Sequence, residues 1–80
     1  MNNLDKLNGA FAQTLDLDPA TVCDSLSYGD HPWDSVAHMA IISALEVAFD
    51  IMLDTEDVID MSSFAKAKEI VEKYGIDLRA

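Results

Sequence analysis

Ser35 sits where an acidic, turn-rich stretch gives way to an apolar run, in the order Pro32-Trp33-Asp34-Ser35-Val36. A hydroxyl in the first turn of a helix is well placed to carry a phosphoryl ester. Unpaired backbone N–H groups and the positive end of the helix dipole both favour the anion that results. Asp34 is a favoured N-cap and would close the same turn. For an isolated Asp-Ser pair capping is the stronger reading, and it is the wider context that favours modification. Asp24-Ser25-Leu26 repeats the acid-hydroxyl arrangement earlier in the chain. It is followed by Tyr28, Gly29, Asp30 and Pro32, which cannot continue a helix, whereas Ser35 opens the only long helical segment mid-chain. Ser35 is therefore the candidate modification site.

Other chemistry is sparse. His38 lies one turn into the same helix, within reach of the first atoms of a group on Ser35. Trp33 is expected to fold onto the loop or core, and Cys23 to behave as a small, partly buried hydrophobe. Two histidines, a single cysteine and no glycine-rich phosphate loop make no catalytic constellation. The chain is expected to be acted on by enzymes and not to be one. Asp54, Glu56, Asp57 and Asp60 lack the glycine and ligand spacing of a helix-loop-helix calcium site, so no specific metal site is expected.

The elements that must position Ser35 can be read from periodicity. Leu4, Leu7, Phe11 and Leu15 recur at helical spacing and predict a first helix over about Asn3 to Leu15. Asp16 to Asp34 then forms a long loop with turns at Asp18-Pro19, Tyr28-Gly29-Asp30 and His31-Pro32, pinned to the core by Val22, Leu26 and Tyr28. The second helix should begin at Asp34 or Ser35 and end near Phe49 or Asp50. A short third helix fits Thr55 to Ile59, capped by Asp54 or Thr55. The fourth starts at Ser62 or Ser63 and runs to Tyr74, with Phe64, Ala67, Ile70, Val71 and Tyr74 inward, Gly75 as a left-handed stop and Lys73 suited to the dipole's negative end.

The second helix carries the sharpest inference. At 100° per residue its apolar side chains separate onto opposite faces. Ile41, Ile42, Leu45 and Phe49 share one side and are read as core. Val36, Ala40, Ser43 and Val47, with Met39 at the margin, share the other and are read as a partner-facing surface. Burial of this helix nearly all round is the competing reading.

Composition bounds the rest. The 80 residues make one domain with a small core. One cysteine allows no internal disulfide, and a reducing, cytoplasmic setting is expected with no targeting segment in view. The longest apolar stretch, Val36 to Phe49, is broken by His38, Ser43 and Glu46 and falls short of the roughly 18 residues of a membrane span. Fifteen acidic residues face five basic ones, a net charge of −10, with no Lys or Arg between Lys6 and Lys66. Such a field excludes phosphate backbones and anionic lipid as partners and steers in proteins with a basic patch. Acidic surface that serves only solubility is the plainer account of the same charge.

The run Trp33-Asp34-Ser35-Val36-Ala37-His38-Met39, the apolar helix through Asp50, the acidic flanks and the chain length together resemble the acyl carrier protein family, over nearly the whole chain. The resemblance implies an all-α fold, a small four-helix bundle with a long loop between helices one and two and a short third helix. It implies phosphopantetheine, drawn from coenzyme A, esterified to Ser35, with Asp34 presenting the serine to a phosphopantetheinyl transferase. The arm's thiol would carry an acyl or aminoacyl group as a thioester. The family's serine lies well after helix one and immediately before helix two, which also favours Ser35 over Ser25. Expected partners are the transferase, an acyl-loading ligase or acyltransferase and, in an elongation pathway, a ketosynthase, with the carrier itself a monomer. Val36, Met39, Ala40, Ser43, Glu46, Val47 and Asp50 are the expected partner-binding residues.

The chain also departs from the family. A housekeeping fatty-acid carrier typically reads Gly-Ala-Asp-Ser-Leu and bears acids along helix two, including sites matching Ala40 and Val47. Here Pro32-Trp33 precedes Asp34, and only Glu46 and Asp50 remain late in the helix. That resembles a specialised stand-alone carrier for a fatty-acid, polyketide or aminoacyl pathway. The alternative is a cofactor-free acidic helical adaptor that binds a basic or apolar partner.

Overall fold

The computed structural model describes residues 2–79. Helix α1 spans Asn3–Leu15, α2 Ser35–Phe49, α3 Thr55–Asp60 and α4 Phe64–Lys73. Among the described residues there is no strand, only an isolated antiparallel bridge between Ser27 and Ser63. The helices form one small bundle with a Cα radius of gyration of 11.2 Å. The expected all-helical class, the short third helix and the long loop are all present.

Each helix begins where its capping chemistry dictates. The Asn2 side chain accepts the Asp5 N–H at 2.8 Å, and the Asp34 carboxylate accepts the Ala37 N–H at 2.9 Å. Ser63 Oγ accepts the Lys66 N–H at 3.0 Å. Asp54 flanks α3 but makes no capping bond through its side chain.

Three helices also end alike. Asp16 (φ 55°), Asp50 (φ 53°) and Gly75 (φ 89°) take the left-handed conformation after α1, α2 and α4. The next residue in each case, Leu17, Ile51 or Ile76, donates its N–H to Ala12, Glu46 or Val71 at 2.9, 3.2 and 3.3 Å. Gly75 fills its expected role, whereas an aspartate pays a Cβ penalty there and sets a negative charge at the negative end of the dipole. Asp50→Gly should therefore raise stability by about 1 kcal/mol, read as a higher urea midpoint at unchanged slope.

The core joins all four helices and the loop. Leu7, Phe11, Ala12 and Leu15 of α1 are buried, as are Ile41, Ile42 and Leu45 of α2 and Phe64, Ala67, Ile70 and Val71 of α4. Phe49 and Tyr74 are half-buried, at the edges of their inward faces. Leu4 is 38% exposed, so the α1 stripe loses its first member to the surface.

The loop differs from the expectation in how it is pinned. It contains a single 3-10 turn, Pro19–Thr21, where the Asp18 carboxylate accepts the Ala20 N–H at 2.9 Å. Val22 is buried and Leu26 half-buried, but Tyr28 is 48% exposed. The anchor is Trp33, 1% exposed. Phe11 is its edge-on neighbour at 5.2 Å and meets Phe64 edge-on at 5.1 Å, so one phenyl ring links α1, the loop and α4. Backbone bonds complete the tie: Tyr28 N–H to the Ser62 carbonyl at 2.9 Å and Phe64 N–H to the Leu26 carbonyl at 2.8 Å.

Candidate functional site

Ser35 is the first residue of α2 and is exposed. The turn before it is built from the loop's own backbone. Trp33 N–H donates to the Asp30 carbonyl at 2.6 Å, Gly29 N–H to the Trp33 carbonyl at 2.9 Å, and the Asp30 carboxylate accepts the Ser27 N–H at 3.0 Å. With the Trp33 indole in the core and Asp34 committed to the Ala37 N–H, the backbone leading into Ser35 is held on both residues before it. Asp34 takes the third helical N–H, so those of Ser35 and Val36 stay at the positive end of the dipole, beside the hydroxyl.

Two clefts meet at Ser35. One, of about 340 Å³, is walled by His38 and Met39 of α2, Val58 and Ile59 of α3, and Tyr28 and Met61. The other, of about 380 Å³, runs along the turn past Gly29, His31, Pro32 and Trp33 to Asp34. A larger groove of about 630 Å³ lies between α1 and α2, floored by Gly9, Ala10, Ala44 and Ala48. Its size reflects small side chains at a helix contact, and Ser35 does not line it.

The outer face of α2 is exposed as its periodicity requires. Val36 is 78% and Val47 84% exposed, and Met39, Ala40, Ser43 and Asp50 are exposed as well. These residues do not converge on one spot. Met39 turns to the serine cleft, Ser43 and Val47 line the α1–α2 groove, and Val36, Ala40 and Asp50 line neither. Glu46 is half-buried, and its carboxylate accepts the Leu53 N–H at 2.9 Å, which holds the turn after α2. Met52 and Ile59 are exposed apolar residues that helical periodicity did not single out.

His38 lies beside Ser35 and is bonded on both ring nitrogens. Trp33 Nε1–H donates to His38 Nδ1 at 3.1 Å, and His38 Nε2 lies 2.7 Å from the Val58 carbonyl of α3. Ser25, by contrast, lies in a turn within the loop, its hydroxyl 3.2 Å from Cys23 Sγ. Cys23 is exposed, contrary to its expected partial burial, because the loop here runs over the surface. Hydrogen bonds from Ser25 hold its thiol below the ordinary range.

The wall of the serine cleft is fastened from behind by Asp57, which in the sequence reads as one of the surface acids. It is 4% exposed, bonded to Lys73 and, at 2.5 Å, to the Tyr74 hydroxyl, which in turn accepts the Asp54 N–H at 2.8 Å. Lys73 lies in the last turn of α4, as expected, and pairs there with the Asp57 carboxylate. The Lys73 and Tyr74 hydrogen bonds hold the Asp57 carboxyl below the ordinary carboxylate range, and that carboxylate raises both partners. A carboxyl lowered by folding contributes stability that is complete above its unfolded value, near 4, and is lost as pH falls through the folded value. The raised Lys73 and Tyr74 contribute stability that is lost above about pH 10. Melting followed by circular dichroism should therefore show Asp57→Asn less stable than wild type at pH 7, with the gap closing below about pH 4. A gap independent of pH would contradict this account of the anchor.

Comparison of the chain with protein-family models, with curated proteins and with solved structures finds no match in any of the three.

Proposed function

We propose that this chain is a carrier protein of the acyl-carrier type, esterified at Ser35 by phosphopantetheine. The observation that carries the reading is the setting of Ser35: an exposed hydroxyl at the first position of α2, on a braced turn, with a cleft at its side. The residues present fit the group. The N–H groups of Ser35 and Val36, at the start of α2, would favour a phosphodiester on Ser35, and Met39, Val58 and Ile59 would offer apolar contact to the arm. When bound, the arm supplies a thiol that holds an acyl or aminoacyl group as a thioester. The protein's own part is to brace the attachment turn through Asp34 and Trp33 and to shield the start of the arm between α2 and α3.

The all-α fold with a short α3 and a long first loop is consistent with an acyl-carrier bundle. The chain would act as a substrate of a phosphopantetheinyl transferase and as a shuttle to a loading ligase or acyltransferase and a ketosynthase. Val36, Met39, Ala40, Ser43, Val47 and Asp50 would supply the docking face. The acidic field steers basic partners to it and suits brief encounters. A tether of this kind holds cargo at roughly millimolar effective concentration for each docked enzyme. The cleft of about 340 Å³ beside Ser35 has room for the start of the arm.

The test is the intact mass after incubation with coenzyme A and a promiscuous phosphopantetheinyl transferase. A gain of one phosphopantetheinyl group is expected. No gain on protein shown to be folded would sink the carrier reading and leave the acidic adaptor.

A further inference from the structure

The groove of about 630 Å³ between α1 and α2 shares no lining residue with either cleft at Ser35, so the proposed function leaves it unused. Gly9, Ala10, Ala44 and Ala48 floor it, and Val47 lines it while 84% exposed. Gly9 is the residue that asks for a reason. It lies midway along α1, where glycine weakens a helix relative to alanine. Its backbone is not left-handed, so no turn requires it, and a methyl group added there would meet no neighbouring part of the fold within 4 Å. Nothing inside the molecule gains from a glycine at this position. What it provides is depth in the groove, open to a side chain from outside.

Charge selects the visitor. Across α1, α2 and the residues that cap them the acids are Asp5, Asp16, Asp34, Glu46 and Asp50, and Lys6 is the one Lys or Arg. Asp16 follows the lining residue Gln13 by three positions, and Asp50 follows Val47 by three. Each helix that walls the groove thus ends in an aspartate at the negative end of its dipole. A second copy would bring a further net charge of −10 to the contact, and anionic lipid would bring phosphates, so the field repels both. An apolar strip with basic flanks satisfies floor and ends together. We infer that the α1–α2 groove is a docking site for an amphipathic, basic helix of a partner protein, its apolar face on Gly9 and Val47 and its cations toward Asp16 and Asp50. Docking there leaves Ser35 and its clefts uncovered. The site stands whether or not Ser35 is modified.

The probe is a synthetic peptide of about 14 residues, roughly 21 Å long as a helix, with leucine on one face and lysine on the other. The same peptide with glutamate in place of lysine is the control. Titrated into the full chain at low salt and followed by NMR, the lysine peptide should move the amides of Gly9, Gln13, Ser43 and Val47 most and leave those of Val58 and Ile59 in place. Its affinity should fall at least about tenfold between about 20 mM and about 300 mM salt, and the glutamate peptide should not bind. Gly9→Leu fills the groove with a better helix former, so it should weaken the lysine peptide at least about tenfold while raising the urea midpoint. Val47→Ser changes an exposed side chain and should weaken it about tenfold with the fold intact. Largest shifts at Val58 and Ile59, equal binding of the two peptides, or unchanged affinity in either folded variant would overturn the docking site. A dimer of the free chain that Gly9→Leu splits would overturn it too, by giving the groove to a second copy.

Discussion

Ser35→Ala is expected to abolish the mass gain on incubation with coenzyme A and a phosphopantetheinyl transferase, and to leave the protein folded. The hydroxyl is the point of attachment in the proposed function, so its removal leaves nothing to esterify. Its structural cost is small, because Ser35 is exposed at the first helical position and the capping bond comes from Asp34. Alanine is the best helix former, and a surface change of this kind moves stability by no more than about 0.5 kcal/mol. Loss of modification in this variant would therefore report chemistry and not unfolding. Ser25→Ala is the matched control and should be modified like wild type. Modification that persists in Ser35→Ala and vanishes in Ser25→Ala would move the site to the loop.

Phe11→Ala should have the largest effect on stability. The ring is fully buried and touches Trp33 and Phe64 edge-on, so its loss opens a cavity where α1, the loop and α4 meet. Buried phenylalanine-to-alanine changes cost about 3–5 kcal/mol, and edge-to-face pairs add to the area term. A domain of 80 residues has a total stability of roughly 4–12 kcal/mol. Urea unfolding at 25 °C should thus show a variant stripped of much of its stability, or one unfolded in water. Its Trp33 fluorescence should also shift toward that of an exposed indole before global unfolding, because the loop's anchor is packed against the missing ring. A loss below about 1 kcal/mol would mean that the cluster does not hold the loop.

The contrast between legible and hidden features has a physical basis. Helix positions and the two faces of α2 follow from periodicities that a single segment contains, and Ile41, Ile42 and Leu45 are buried while Val36 and Val47 are exposed. Asp34 as cap and Gly75 as stop are likewise local choices, readable within a few residues. Asp57 was hidden because its partners Lys73 and Tyr74 belong to another helix, and a six-residue segment is too short for its inward face to show in the pattern. The role of His38 was hidden for a related reason. One partner is an indole in irregular chain and the other is a backbone carbonyl, which leaves no trace in side-chain identity. The left-handed aspartates could have been suspected from a helix ending at Leu15 or Phe49, but the sequence offers no glycine there to announce the turn.

The bridge between Ser27 and Ser63 has a consequence for when the approach to the attachment turn is fixed. The backbone that leads to Ser35 is clamped by residues at the entrance to α4, more than thirty positions later in the chain, and closing so large a loop is entropically costly until both sides are ready. α2 and the turn at its head can form early from local bonds, but the stretch of residues 26–28 that leads into them is fixed only once the entrance to α4 has docked. An enzyme that needs the approach to that turn held in place would therefore act on chains in which α4 has docked.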